Sequence, residues 1–118
     1  MPDEAIARFA KALEHKINGE YDEAESLFKA VIAELPENAD AYHELGLTYS
    51  YRVYMDESID CLNKAVALRP DSTQFLISLG KTHAMYGDVD KARPIFLQVQ
   101  EMDPFNIEAA EQLQFLDY

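Results

Sequence analysis

Positive charge and cysteine are the scarce commodities of this chain. Ten Lys and Arg stand against twenty-two Asp and Glu in 118 residues, a formal net charge of −12. Phosphate recognition needs clustered cations, so nucleic acid is excluded as the main partner. Docking on an anionic lipid surface is disfavoured for the same reason. The lone Cys61 cannot close an internal disulfide, and nothing in the chain requires an oxidising compartment. No basic-then-apolar leader opens the sequence, and no apolar run approaches the roughly 18 residues of a membrane span. The expectation is therefore a cytoplasmic protein, kept soluble by its excess acid. Hydrophobic residues make up 48% of the chain, which is ordinary for a folded domain.

Reactive constellations are also missing. His15, His43 and His83 are far apart and have no cysteine or acid at metal-ligand spacing beside them. Cys61 lacks a basic neighbour that would hold it as a thiolate, so it reads as a small apolar residue on a helix flank. No glycine-rich phosphate loop is present. The sequence calls for no metal, no cofactor and no catalysis.

What the chain does have is a period. Pro2, Pro36, Pro70 and Pro104 are 34 residues apart, and the same step links Ala12, Gly46 and Gly80. Ala24, Ser58 and Ala92 form another column, as do Phe28, Leu62 and Phe96, and Asn38, Ser72 and Asn106. A period of this length signals a solenoid built from one supersecondary unit. Each unit reads as two helices, and apolar spacing predicts helices over about 3–18, 21–34, 39–52, 55–68, 73–86, 89–102 and 107–117. The prolines stop the second helix of each pair. Asn38, Ser72 and Asn106 stand where N-caps are wanted. Ala12, Gly46 and Gly80 let paired helices approach closely, and Gly19 and Gly87 end first helices. The acids Asp22, Glu23, Asp56, Glu57, Asp88 and Asp90 open second helices, where the macrodipole favours them.

Tyr42, Leu45, Gly46 and Tyr49, followed by Ser58, Leu62, Ala65 and Pro70, resemble the tetratricopeptide repeat. A third unit matches through Leu76, Leu79, Gly80, Gly87, Ala92, Phe96 and Pro104, and a first through Gly19, Tyr21, Ala24, Phe28 and Pro36. The resemblance implies an all-α fold: a right-handed α-solenoid of three antiparallel helix pairs with a C-terminal capping helix. It would form a single domain over 3–118, with repeats at about 3–36, 37–70 and 71–104 and the cap at 105–118. Gln114 and Asp117 fall in columns held elsewhere by Gly46 and Tyr49, as suits a helix with one wet face.

Four places depart from the pattern. Val53 stands in the column of Gly19 and Gly87, and a β-branched residue is costly at positive φ, so another turn geometry is expected there. Pro94 lies inside a second helix and predicts a local kink near Asp90. Arg8 and Lys11 replace the apolar Tyr42 and Leu45, consistent with an exposed N-terminal face. The first helix instead carries Ile6, Phe9, Ala10, Leu13 and Ile17, so either it is rolled or this stripe faces something else.

In tetratricopeptide proteins the first helices line a concave groove that receives a peptide. By column, the resemblance places Phe9, Leu13, Lys16, Ile17, Asp40, His43, Leu47, Ser50, Tyr51, Gln74, Ile77, Lys81, Ala84 and Met85 there. The apolar members form a floor flanked by Lys16, His43 and Lys81, or else pack helix against helix. His15 and His83 share a packing column and read as interior-edge residues. The positions of the family's carboxylate clamp for chaperone tails hold Phe9, Leu13, Glu44, Gln74 and Ser78, none of them cationic, which argues against that ligand. The favoured function is a protein-interaction module for an apolar peptide or amphipathic helix, with basic residues flanking the ligand's apolar anchors. Self-association through an end face and service as a regulatory segment of a larger protein are the alternatives.

Overall fold

The computed structural model describes residues 2–117, and every regular element among them is helical. The helices are α1 (Pro2–Ile17), α2 (Tyr21–Glu34), α3 (Ala39–Tyr51), α4 (Met55–Leu68), α5 (Thr73–Met85), α6 (Val89–Met102) and α7 (Ile107–Leu116). Their ends fall within one residue of those the periodicity predicts. The chain divides into two compact units, Met1–Leu68 and Arg69–Tyr118. In the first, α1 packs on α2, α2 on α3 and α3 on α4; in the second, α5 packs on α6 and α6 on α7.

The repeating columns are the core. Phe28, Leu62 and Phe96 are fully buried, as are Ala24, Ser58 and Ala92, and Val31, Ala65 and Val99. The small-residue column works by contact distance. A Cβ at Gly46 would lie 2.8 Å from Leu62, and one at Gly80 would lie 2.8 Å from the Phe96 ring. Neither gap admits a methyl group unless the facing side chain or its helix shifts. In the α3–α4 pair the Ser58 hydroxyl donates to the Gly46 carbonyl at 2.8 Å in a buried bond. Serine thus fits its column as a small residue with a partner for its polar atom.

Three N-caps behave as the sequence requires. Asn38 accepts from the Ala41 amide at 3.0 Å, Ser72 from Phe75 at 3.1 Å and Asn106 from Ala109 at 2.9 Å. Asp88 caps α6 in the same way through the Lys91 amide. α6 runs through Pro94 from Val89 to Met102, so proline does not divide the helix.

The turn inside each pair closes by the same bond. The amide of Glu20 donates to His15, Tyr54 to Tyr49 and Asp88 to His83, at 2.8, 3.0 and 2.8 Å. Gly19 and Gly87 precede the donors with φ of 78° and 86°. Val53 takes φ of 61°, contrary to the expectation of a different geometry. The closing bond fixes the backbone, and the side chain is left 68% exposed. The left-handed conformation costs a non-glycine residue about 1–2 kcal/mol.

α1 is neither wholly rolled nor wholly misaligned. Ala5 and Ala12 are buried, Phe9 and Leu13 pack partly against the core, and Ile6 and Ile17 are left 66% and 79% exposed. The Phe9 and Phe28 rings meet edge to face at 5.6 Å. Arg8 is half-exposed and bonds Glu34 at 2.9 Å, which suits the wet face its column predicts.

Two stability measurements follow from these contacts. Gly80→Leu should lower stability by about 1–3 kcal/mol through overpacking against Phe96, read as a reduced denaturant midpoint. Val53→Gly should raise it by roughly 0.5–1 kcal/mol, because relief of backbone strain exceeds the added freedom of the unfolded chain. An unchanged midpoint in either variant would contradict the corresponding contact.

Candidate functional site

The first unit positions its expected groove residues on α1 and α3, which touch along part of their length. Phe9 and Leu13 are half-buried against the cluster of Ala12, Ala24, Phe28, Leu45 and Tyr49. Their inner edges are core and their outer edges are available. Leu47 is also half-buried, whereas Tyr51 is 55% exposed and its ring lies 5.9 Å from that of Tyr21. A small hollow of about 130 Å³ opens beside Phe9 and Asp40, lined further by Ala5, Ile6, Leu35 and Asn38.

Several expectations are corrected. His43 is 3% exposed and does not present itself to a ligand; its Nδ1 lies 3.6 Å from a Glu44 carboxylate oxygen. Lys16 is not a free flanking cation, because its ammonium pairs with Glu44 across the α1–α3 contact. Ser50 is buried, its hydroxyl donating to the Leu47 carbonyl at 2.8 Å. In each case a polar group near a helix contact finds an internal partner in preference to water.

Glu44, which the sequence places at a clamp position without a partner, is the polar centre of this region. Burial alone would raise its carboxyl pKa, but hydrogen bonds from His43 and Lys16 outweigh burial and hold it below the ordinary 4.5. Its side chain and that of Lys16 are 18% and 15% exposed, so the pair is largely shielded from salt. The signal missed in the sequence is a separation of 28 residues between opposite charges. Lys81 and Glu108, 27 apart, make a similar pair between α5 and α7 at 2.9 Å.

In the second unit Ile77 is only 7% exposed and therefore serves as core, not as a groove anchor. Met85 is 60% exposed, Gln74 is exposed and Ala84 is half-buried. Lys81 remains about half-exposed despite its pairing with Glu108.

The other candidate reactive groups are quiet. Burial pushes the Cys61 thiol up to about 11, which leaves it protonated at neutral pH and suits its contact with the core cluster. His83 is shifted down, chiefly by burial. His15 bonds Glu20 at 3.0 Å through Nδ1. Among the described residues no group of three or more His, Cys, Asp or Glu is placed to hold a metal ion, and no helix is long and apolar enough to cross a membrane.

Comparison with known proteins agrees with this architecture. Two tetratricopeptide-repeat family profiles match the chain, over residues 9–49 and 39–72. The BBSome complex member BBS4 of Mus musculus is 34% identical over 74 residues, 63% of this chain and 14% of that protein. The Protein CTR9 homolog of Arabidopsis thaliana is 30% identical over 100 residues, 84% of this chain and 9% of the relative. The chain thus spans a small part of the length of these curated relatives. A solved structure, the first TPR of Spaghetti (RPAP3) bound to the HSP90 peptide SRMEEVD, superimposes with a TM-score of 0.88 at 22% identity. The match covers 96% of this chain and 90% of that one.

The Glu44 pair carries a pH signature. A carboxyl with a depressed folded-state pKa binds fewer protons when folded than when unfolded. Its contribution is therefore complete above the ordinary 4.5 and is lost as pH falls through the folded value. Glu44→Gln should be less stable than wild type at pH 7, and urea midpoints should converge as pH is lowered below 4.5. A gap that stays constant with pH would show that the carboxylate charge is not what stabilises this contact.

Proposed function

This chain belongs to the tetratricopeptide-repeat family, and from that premise we propose that it is a protein-interaction module, not an enzyme, that holds a peptide or amphipathic helix on its first helices. The observation that carries the reading is the surface formed by α1 and α3. Phe9, Leu13 and Leu47 keep part of their apolar surface outside the core, Tyr51 is more than half exposed, and no reactive group stands among them. Apolar surface of this kind on a soluble domain marks a contact site.

The chain's charge shapes the ligand. With a net charge of −12, it favours a segment whose apolar anchors are flanked by Lys or Arg, and association that slows as salt rises. The Spaghetti domain is solved with an acidic peptide, SRMEEVD. The same ligand is disfavoured here, because Phe9, Leu13, Glu44, Gln74 and Ser78 occupy the clamp columns. A carboxylate at Glu44, already satisfied by Lys16 and His43, offers a peptide carboxylate repulsion in place of a cationic fork.

Self-association is the second reading, and the observation favouring it is on the C-terminal helix and the turn that leads into it. Phe105, Ile107 and Phe115 are 90%, 73% and 70% exposed. Gln114 stands there in the column of Gly46 and Gly80, so α7 lacks the small residue that seats a paired helix. The proposed compartment is the cytoplasm.

Peptides selected from a random display library against the wild-type protein provide the test. Leu47→Glu with Tyr51→Glu should weaken their binding at least tenfold while helicity and melting temperature are retained. Each apolar anchor contributes roughly 1.5–3 kcal/mol on burial, and a carboxylate in its place adds a desolvation cost. The peptide SRMEEVD should not bind. A folded double mutant with undiminished affinity would remove the groove as the site, and a mass that rises with concentration in sedimentation would favour self-association.

A further inference from the structure

Val53 has the one positive φ of any non-glycine residue among those described. The turn it occupies closes by the same backbone bond as the turns at Gly19 and Gly87, so the repeat itself imposes the conformation. Glycine would meet that demand without strain. Valine meets it with its side chain projecting into solvent, where it contributes nothing to the core. A strained residue that the monomer does not use is a reason to look for a contact outside the monomer.

The surroundings describe that contact. Tyr51, Tyr54 and Met55 flank Val53 in sequence and are 55%, 41% and 46% exposed, so four consecutive large apolar side chains, interrupted only by Arg52, face outward. The platform beneath them is braced. Arg52 bonds Asp22 at 2.8 Å and Glu25 at 3.1 Å, and its guanidinium lies 4.7 Å from the centre of the Tyr54 ring. Those bonds tie the α3–α4 turn to the start of α2, and the Tyr21–Tyr51 ring contact reinforces the tie.

Charge selects the occupant. Arg52 is engaged by Asp22 and Glu25, while Glu23, Asp56 and Glu57 are exposed on the helix starts either side of the patch. A second copy of this chain would bring a like-charged rim to the same place, and an anionic lipid surface would be repelled. We propose that the α3–α4 turn is a second docking surface, which takes a protein segment presenting a large apolar side chain between Lys or Arg residues. The apolar anchor would cover Val53 and Met55, and its basic neighbours would meet the acidic rim. The inference does not rest on the groove, because Val53, Tyr54 and Met55 lie outside it.

Three fluorescently labelled, amidated nonapeptides test it. The first has a Leu-Phe-Leu centre between two Arg-Arg-Arg flanks, the second has the same centre between glutamates, and the third has a Gly-Ser-Gly centre between arginines. The expected result is that the first binds at least tenfold more tightly than either control and shifts the amide resonances of residues 53–55. Val53→Gly should raise the melting temperature yet weaken that binding at least fivefold. Met55→Ser should weaken it likewise. Equal binding of the Gly-Ser-Gly peptide would reduce the effect to net charge and overturn the proposal. Undiminished binding by Val53→Gly would do the same. So would shifts confined to Leu13, Glu44, Leu47 and Tyr51, which would instead place the peptide in the groove, or shifts at residues 53–55 that follow protein concentration without peptide, which would make the face a self-interface.

Discussion

Close approach of paired helices is the constraint on which the rest depends. At Gly46 and Gly80 the facing side chain stands where a Cβ would be, so each pair is locked at a separation that a larger residue would not allow. That separation sets which neighbours are buried. Leu62 and Phe96 fill the space opposite the glycines, and Ser58 reaches the Gly46 carbonyl only because the backbones are this near. It also fixes the turn between the helices, since short connections must return the chain at a set angle. The three identical turn closures express that requirement, and Val53 shows that it overrides local preference.

An acidic chain with few cations uses them sparingly. Arg8, Lys16, Arg52, Lys81 and Arg93 all bridge to acids on another helix or turn. Exposed pairs of this sort add little stability individually, whereas the shielded Lys16–Glu44 pair is less diluted by solvent. Their collective effect is electrostatic. Cations spent on internal bridges leave the uncompensated carboxylates facing outward, and a partner meets a surface more uniformly negative than the composition alone suggests. Both proposed docking surfaces therefore favour the same ligand chemistry by different geometry.

The fold was legible because its causes are local and repeated. Prolines, caps and small residues act within a few residues of themselves, and the 34-residue step presents each cause three times. The site was less legible. Columns could not reveal that Lys16 belongs with Glu44, because the repeat aligns Lys16 with Ser50 and the ion pair crosses columns. His43 sits in a groove column yet is buried beside Glu44, and Ile77 occupies a groove column yet is core. Column position specifies the side of a helix, whereas burial depends on the sizes of the neighbours. Val53 failed for the opposite reason: a sound local rule was outweighed by a backbone bond that the surrounding helices enforce.

The short reach of these contacts has a kinetic side. Within the first unit, α1 meets α2 and α3, and even the Lys16–Glu44 bridge joins residues only 28 apart. Little loop-closure entropy is spent before such contacts begin to reward the chain. A polypeptide of this kind should fold rapidly and in order of synthesis, each pair closing its turn and receiving the next as it emerges. The acidic, apolar-edged surface would then exist on the first unit while the rest of the chain is still being made.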